Sequence, residues 1–281
     1  MAIQTGKPGS EMDVDSAPTT VADLRPGHHL CCLYDSEDDY RALTASYLRQ
    51  GLAQGEKVIF ILDTQSADAI LSYLRSDDSE RRLYLASGQL RLVSASSIYG
   101  RGGAFDPEAM ISLLRSEAEQ ALKEGYTALR VAGEMAWALR GLRGPERLIE
   151  YEAKVNAFFP GSKCIGLCLY DRRCFPARAL LNILHTHPIA AVGTRVFDNF
   201  YYVPPQDFLG DDATGALLRN CLRNLAVRKG FEIEIQDLRE QLKEAIQERT
   251  TEQGRAREAL EAEIAKRRQL EERLRRLAKD H

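Results

Sequence analysis

Two histidines, two thiols and four carboxylates fall within twelve residues near the start of this chain: His28, His29, Cys31, Cys32, then Asp35, Glu37, Asp38 and Asp39. The acids follow an apolar run ending at Tyr34 and precede a helical pattern at Tyr40, Leu43, Tyr47, Leu48 and Leu52. In a phosphate-binding strand–turn–helix this turn is glycine-rich, and Lys with Ser or Thr opens the helix so that backbone N–H groups and an ammonium surround the anion. Carboxylates there repel a triphosphate. These residues predict the architecture of a nucleotide-binding protein without its nucleotide site, and a sensing role over a catalytic one.

The imidazoles and thiols raise metal binding. Alternation along a strand puts His29 and Cys31 on one side and His28 and Cys32 on the other. Two ligands do not close a zinc site, which takes four, or three and a water. His29 and Cys31 are therefore the metal candidates, and buried core thiols the simpler reading. Cys164 and Cys168 alternate along a later apolar run without Cys-x-x-Cys spacing. His185 and His187 lie at a helix end beside Pro188, where a cation favours the helix dipole.

The ends of the other apolar runs carry polar and aromatic groups: Tyr34-Asp35, Asp63-Thr64, Ser94 with Ser96, Glu134 near Trp137, and Tyr170-Asp171-Arg172. Ligands of open parallel sheets bind beyond the strand carboxyl ends. With Tyr99 from the glycine-bearing stretch 96–105, read as a loop flexible enough to act as a lid, these residues form a candidate pocket for a small organic molecule. The plainer alternative is that the acids cap the helices that follow. Glu134, beside a glycine and close to the chain's only Trp, is the sharpest candidate. Either it polarises water or holds magnesium, which requires phosphates, or it is a structural carboxylate bonding backbone N–H groups or Arg172.

Strands and helices must position these groups. Lys57–Leu62, Leu90–Ser94, Ala128–Ala132 and Cys164–Tyr170 read as strands. Helical patterns lie between them, including Ala67 to Arg75, one capped by Asp106-Pro107, and Pro145 to Phe159. Five alternations predict a mainly parallel sheet covered on both faces. Short strands around 190–192, 194–196 and 201–203 predict an antiparallel edge. Met1–Thr20 reads as a disordered leader, giving boundaries of 1–22, 23–210 and 211–281. From Ala213 mixed charges dominate. Ile235, Leu238, Leu242 and Ala245, then Leu270, Leu274 and Leu277, keep coiled-coil spacing, with polar residues between. Two shorter coiled segments across 231–279, pairing two copies, are expected over one continuous rod.

The net charge of −3 gives no basic footprint for nucleic acid. No apolar run reaches the ~20 residues that span a bilayer, and six cysteines read as free thiols of a reducing compartment. A cytoplasmic protein is expected. No pattern identifies a cofactor.

Several stretches together resemble the MEDS family, the sensory domain described from methanogen and methylotroph regulators. They are Gly27-His28-His29-Leu30-Cys31, Gly51-Leu52 with Gly55-Glu56-Lys57, Gly133-Glu134-Met135-Ala136-Trp137, Tyr151-Glu152 with Asn156, and Cys168-Leu169-Tyr170-Asp171. The resemblance spans roughly Asp23 to Phe208. It implies a three-layer fold related to RecA-like ATPases, including the circadian-clock ATPase, with a degraded phosphate loop. It also implies non-catalytic sensing of small molecules, proposed to be hydrocarbon derivatives, with a histidine-kinase or transcription-regulator output. Neither a kinase core nor a helix-turn-helix is visible here, so the tail reads as a connector to such a module. The competing expectations are a RecA-like ATPase, opposed by the missing Gly-x-x-x-x-Gly-Lys-Ser/Thr, and a redox or metal switch through the thiols.

Overall fold

A computed structural model of the chain describes residues 20–74, 76–100, 103–140 and 143–277, with the side chains at 274, 276 and 277 outside that description. The expected leader up to residue 19, helix end Arg75, loop residue Gly102 and the coil positions Leu274 and Leu277 therefore fall outside it in whole or in side chain.

The elements run β1 (His29–Tyr34), α1 (Glu37–Ala53), β2 (Lys57–Leu62), α2 (Ala67–Tyr73), α3 (Asp78–Ala86), β3 (Leu90–Ser94), α4 (Ala95–Tyr99), α5 (Pro107–Lys123) and β4 (Leu129–Glu134). They continue as α6 (Leu148–Lys154), β5 (Cys164–Asp171), α7 (Ala177–Thr186), β6 (Ile189–Val192), β7 (Arg195–Asp198), α8 (Pro205–Phe208) and α9 (Ala213–Leu277). The strands form one sheet in the order β3-β2-β4-β5-β1-β6-β7. Every pairing is parallel except β6 with β7, so the antiparallel edge lies where expected. Residues 201–203 form no strand. β6 itself is parallel to β1, because α7 returns the chain across the sheet before it begins.

Burial on both sheet faces accounts for the mostly apolar runs in β1, β2 and β5, and β4 is equally buried although it carries Arg130 and Glu134. On one face Leu30, Cys32, Val58 and Phe60 pack against Tyr40, Leu43, Tyr47 and Leu48 of α1 and Ile70 of α2. On the other, Cys31, Leu33, Ile59 and Ile61 pack against Met110, Leu114 and Ala118 of α5, Leu148 of α6 and Ile183 of α7. Each such large apolar side chain contributes about 1.5–3 kcal/mol when removed from water. The three-layer α/β architecture rests on these two cores.

Helix starts follow local chemistry. Ser36, Ser66, Asp77, Ser94 and Asp106 each accept a backbone N–H from the first turn of the helix that follows. The acids after β1 are not a turn preceding a helix at Tyr40: Glu37, Asp38 and Asp39 form the first turn of α1, where they complement the positive end of its dipole. The stretch expected as a loop from Ser96 begins instead as helix α4, because Ser94 caps it and only at Gly100 does it stop. The long helix expected over Pro145–Phe159 is a short 3-10 turn, α6, and a second 3-10 turn.

The chain divides into one compact unit up to Cys221 and a second from Leu222 onward. In the second, α9 runs unbroken through 249–254: Thr250 and Thr251 return their hydroxyls to the Ile246 and Gln247 carbonyls and the polar residues keep helical geometry. Ile235, Leu238, Leu242 and Leu270 are exposed along it. Among the described residues no helix is long and apolar enough to cross a membrane.

Candidate functional site

Glu134 ends β4 and is 1% exposed. Its carboxylate accepts hydrogen bonds from the Tyr40 hydroxyl (2.7 Å), the backbone N–H groups of Asp63 (2.5 Å), Thr64 (2.7 Å) and Gln65 (3.2 Å), and the Thr64 hydroxyl (2.8 Å). It therefore anchors the turn after β2. Of the two roles open to it, the geometry fills the structural one, with backbone N–H groups as partners; Arg172 is engaged elsewhere. Burial comes first in raising the pKa of Asp63, partly offset by Arg140, whose guanidinium lies 3.1 Å from its carboxylate.

The remaining rim groups pair with one another. Arg172 donates to Asp35 at 2.6 Å. Arg173 bridges Asp171 (2.6 Å) and Glu37 (2.9 Å). Ser94 caps α4 and lies 3.2 Å from the Ser96 hydroxyl. The candidate aromatics do not converge. Leu33 is the register partner of Tyr170 and Tyr34 that of Asp171, so Tyr34 and Tyr170 project from opposite sheet faces. Tyr34 packs beside Tyr40, with ring centroids 5.0 Å apart, and burial pushes its hydroxyl well above the usual range. Tyr170 joins Tyr99 and Trp137 in the other core.

Tyr99 and Trp137 do come together, stacked at 4.5 Å between centroids with 19° between planes. Phe105 lies against both, at 6.0 Å and 4.8 Å. The Tyr99 hydroxyl occupies space that a side chain at residue 133 would need: a Cβ there would stand 2.5 Å from its oxygen. Outside this stack, between α4 and α5, a pocket of about 350 Å³ is lined by Ile98, Tyr99, Phe105, Asp106, Ala109, Met110, Ser112 and Leu113. Its wall is mostly apolar, and its volume is at the small end of ligand sites.

A second constellation lies beneath the sheet. His29 of β1, Glu152 of α6, Cys168 of β5 and His187 after α7 place one potential ligand atom each within 4.8 Å of the others. Glu152 Oε2 is 3.5 Å from His29 Nε2 and 3.3 Å from His187 Nε2. The Cys168 thiol is 3.5 Å from His29 Nε2 and 3.7 Å from Glu152 Oε2. Tyr170 donates its hydroxyl to Glu152 Oε1 at 2.5 Å. Burial alone would raise the Glu152 carboxyl, but the two imidazoles outweigh it and hold it well below the usual carboxylate range. Burial lowers His29 and raises Cys168, the latter reinforced by Glu152.

The sequence reading placed His29 here but paired it with Cys31. Cys31 shares that face, as alternation requires, yet the thiol beside the imidazole belongs to Cys168, the register partner of Cys31 on the neighbouring strand. His187 is not explained by a helix dipole: it is wholly buried, with Nδ1 on the Ile183 carbonyl at 2.8 Å. Glu152 and Asn156 were visible only as motif positions. The signal that could have joined them is the set of polar residues inside otherwise apolar segments.

The family model of the MEDS domain, the methanogen/methylotroph, DcmR sensory domain, matches residues 28–188. The transcriptional repressor DcmR of Methylorubrum extorquens (strain DSM 6343 / CIP 106787 / DM4) is 29% identical over 180 residues, covering 62% of this chain. The match spans 63% of that repressor's length, less than two thirds. Similar solved structures include the KaiC-like protein PH0186 from Pyrococcus horikoshii OT3, with a TM-score of 0.41 and 13% identity over 59% of this chain and 71% of that one. Another is the flagellar accessory protein FlaH from Methanocaldococcus jannaschii, with a TM-score of 0.39 and 12% identity over 62% of this chain and 74% of that one.

Proposed function

This chain belongs to the MEDS family of sensory domains, and from that premise we propose that it is a non-catalytic sensor that binds a small, largely apolar organic molecule between α4 and α5 and passes the signal through α9 to a transcription-linked output. The observation that carries the reading is the pocket of about 350 Å³ walled by Tyr99, Phe105, Met110 and Leu113. Asp106 and Ser112 supply the few polar groups that would orient a hydrocarbon derivative. A ligand there touches Tyr99 and, through the stack, Trp137. Differential affinity for two arrangements of these rings is what a sensor requires.

The start of α1 supports a non-enzymatic reading. Glu37, Asp38 and Asp39 fill the helix N-terminus that a phosphate would otherwise occupy, and Glu134 is saturated by five donors instead of poised on water. The exposed apolar residues Ile235, Leu238 and Leu242 of α9 are the basis for pairing two copies through a coiled coil, in a cytoplasmic setting.

Trp137 is the only tryptophan, so its emission reports on the pocket. Titration with small alcohols, haloalkanes and thioethers should shift that emission and raise the unfolding temperature, and Ala109→Phe, which fills the pocket, should abolish both. No change in either signal across such a panel would remove the proposal. Magnesium-dependent ATP binding by calorimetry would replace it with the ATPase reading.

A further inference from the structure

We propose that His29, Glu152, Cys168 and His187 form a four-coordinate transition-metal site, with zinc the ion that fits the donor set best. The argument starts from the tautomers. Asn156 donates its amide to the carbonyls of Glu152 (2.7 Å), Ala153 (3.3 Å) and Thr186 (2.5 Å), which fixes its side-chain oxygen as an acceptor. His29 Nδ1 lies 2.9 Å from that oxygen and must therefore carry a proton. His187 Nδ1 likewise faces only acceptor or hydroxyl oxygens, the Ile183 carbonyl at 2.8 Å and Thr186 Oγ1 at 3.4 Å.

With both rings neutral, the form in which imidazole binds a metal, the lone pair is left on Nε2. The two lone pairs point toward the Glu152 carboxylate and the Cys168 sulfur. His187 Nε2 is fully buried and has no hydrogen-bond partner. Lone pairs of nitrogen and a carboxylate facing each other in a dry interior are repulsive and leave buried acceptors unsatisfied. A cation between them removes both penalties. An imidazole whose Nδ1–H is committed to a carbonyl while Nε2 points inward is the usual arrangement of a metal-ligating histidine, and the bond from Tyr170 to the other oxygen of Glu152 orients the carboxylate in the same way.

The dimensions agree. Zinc bond lengths of about 2.0–2.1 Å to nitrogen and oxygen and 2.3 Å to sulfur set tetrahedral edges of about 3.3–3.6 Å. Four of the six edges are 3.3, 3.5, 3.5 and 3.7 Å, and the other two, from His187 to His29 and to Cys168, lie within 4.8 Å. Mixed imidazole, thiolate and carboxylate donors suit zinc and, in its place, cobalt. Gly166 belongs to the same construction: a Cβ there would stand 2.3 Å from Phe159, whose ring stacks on His29 at 4.5 Å, and 3.2 Å from His29 itself. The ligands come from β1, α6, β5 and the turn before β6, so the ion would join one helical layer to the centre of the sheet. No water position remains at four ligands, which makes the site structural and not hydrolytic.

The test uses the full chain, purified and dialysed against zinc or cobalt and then against buffer. The expected result is one ion per chain by mass spectrometry, a cobalt spectrum with tetrahedral d–d bands and a thiolate-to-cobalt charge-transfer band, and a raised unfolding temperature that chelator reverses. Cys168→Ser should lose the charge-transfer band. Tyr170→Phe and Asn156→Ala, which keep all four ligands, should weaken the metal about 10–100-fold, as outer-shell losses do. Cys32→Ser, on the opposite sheet face, should change nothing. Folded wild-type protein that retains no ion and shows no thiolate–cobalt band would overturn the site. So would a band that survives in Cys168→Ser, because the ion would then be held elsewhere. Neither result bears on the pocket between α4 and α5.

Discussion

Gly51 of α1 stands where it does because Arg130 of β4 lies across it: a Cβ at residue 51 would come within 2.6 Å of the Arg130 Cδ and 2.8 Å of its Nε. The guanidinium cannot move aside. It is fully buried, donates to both oxygens of Glu56, and sits 4.7 Å over the Tyr47 ring. Glycine in a helix interior costs about 1 kcal/mol relative to alanine, whereas overpacking a pinned site costs about 1–3 kcal/mol. Gly51→Ala should therefore lower stability in urea unfolding. In an Arg130→Ala, Glu56→Ala background the same substitution should become stabilising, and an unchanged sign there would separate Gly51 from Arg130.

Breaking that pair from one side should be worse than removing it. Glu56→Ala leaves an unpaired buried cation and should cost about 3–5 kcal/mol, while Glu56→Leu with Arg130→Met should recover most of the loss. Urea midpoints of the two variants decide it: equal destabilisation would mean the charges stabilise the fold beyond their own desolvation.

Glu134 should behave as a structural group. Hydrogen bonds to a charged acceptor contribute about 1.5–3 kcal/mol each, non-additively, so Glu134→Ala should destabilise by at least about 3 kcal/mol. Glu134→Gln should destabilise less, since its amide oxygen can accept from the N–H groups of Asp63, Thr64 and Gln65 while its NH2 donates to the Tyr40 and Thr64 hydroxyls. Full stability of Glu134→Ala, measured by urea unfolding, would return the residue to a catalytic or ligand-binding role.

These residues show what could be read beforehand. Gly51, Glu56, Gly133, Glu134, Glu152 and Asn156 were all visible as positions of a family pattern, and the alternation of strand and helix was visible as periodicity. What each motif residue does was not, because its reason lies in a partner 70 or more residues away: Glu56 with Arg130, Glu134 with the turn at Asp63. The four-residue cluster needed still more, since only the register of β1 on β5 places Cys168 beside His29. Tyr34 was misplaced for the same reason. End-of-strand position is legible in a sequence, while the sheet face depends on register. The polar stretch 249–254 of α9 weakens a coiled-coil seam without weakening the backbone hydrogen bonds of a helix, so one continuous helix is compatible with two coiled segments.

Trp137 should tolerate loss of its indole N–H. Its Nε1 is buried with no hydrogen-bond partner, so Trp137→Phe gives up volume and part of the stack on Tyr99, about 1–2 kcal/mol, and no hydrogen bond. Trp137→Ala opens a cavity behind the pocket and should cost about 3–5 kcal/mol. Thermal unfolding of both checks the ratio; a Phe variant as unstable as the Ala variant would mean that the indole N–H has a partner in solution.

Acid should weaken the join between α5 and α6 through Glu150. Hydrogen bonds from Arg147 (2.9 Å) and Lys154 (2.6 Å) depress its carboxyl to about 2, and Lys154 also reaches Glu108 of α5 at 2.9 Å. A depressed carboxyl stabilises the fold above its unfolded pKa of about 4.3, and that contribution disappears as pH falls from about 4.3 toward 2. The group is 30% exposed, so solvent and salt screen it. The urea midpoint of Glu150→Gln should thus lie slightly below that of the wild type at pH 7 in dilute buffer. The gap should close on acidification, and also in molar salt, where the screening length falls to about 3 Å. A gap that widens as the pH is lowered would mean that Glu150 is held by something other than its two cations.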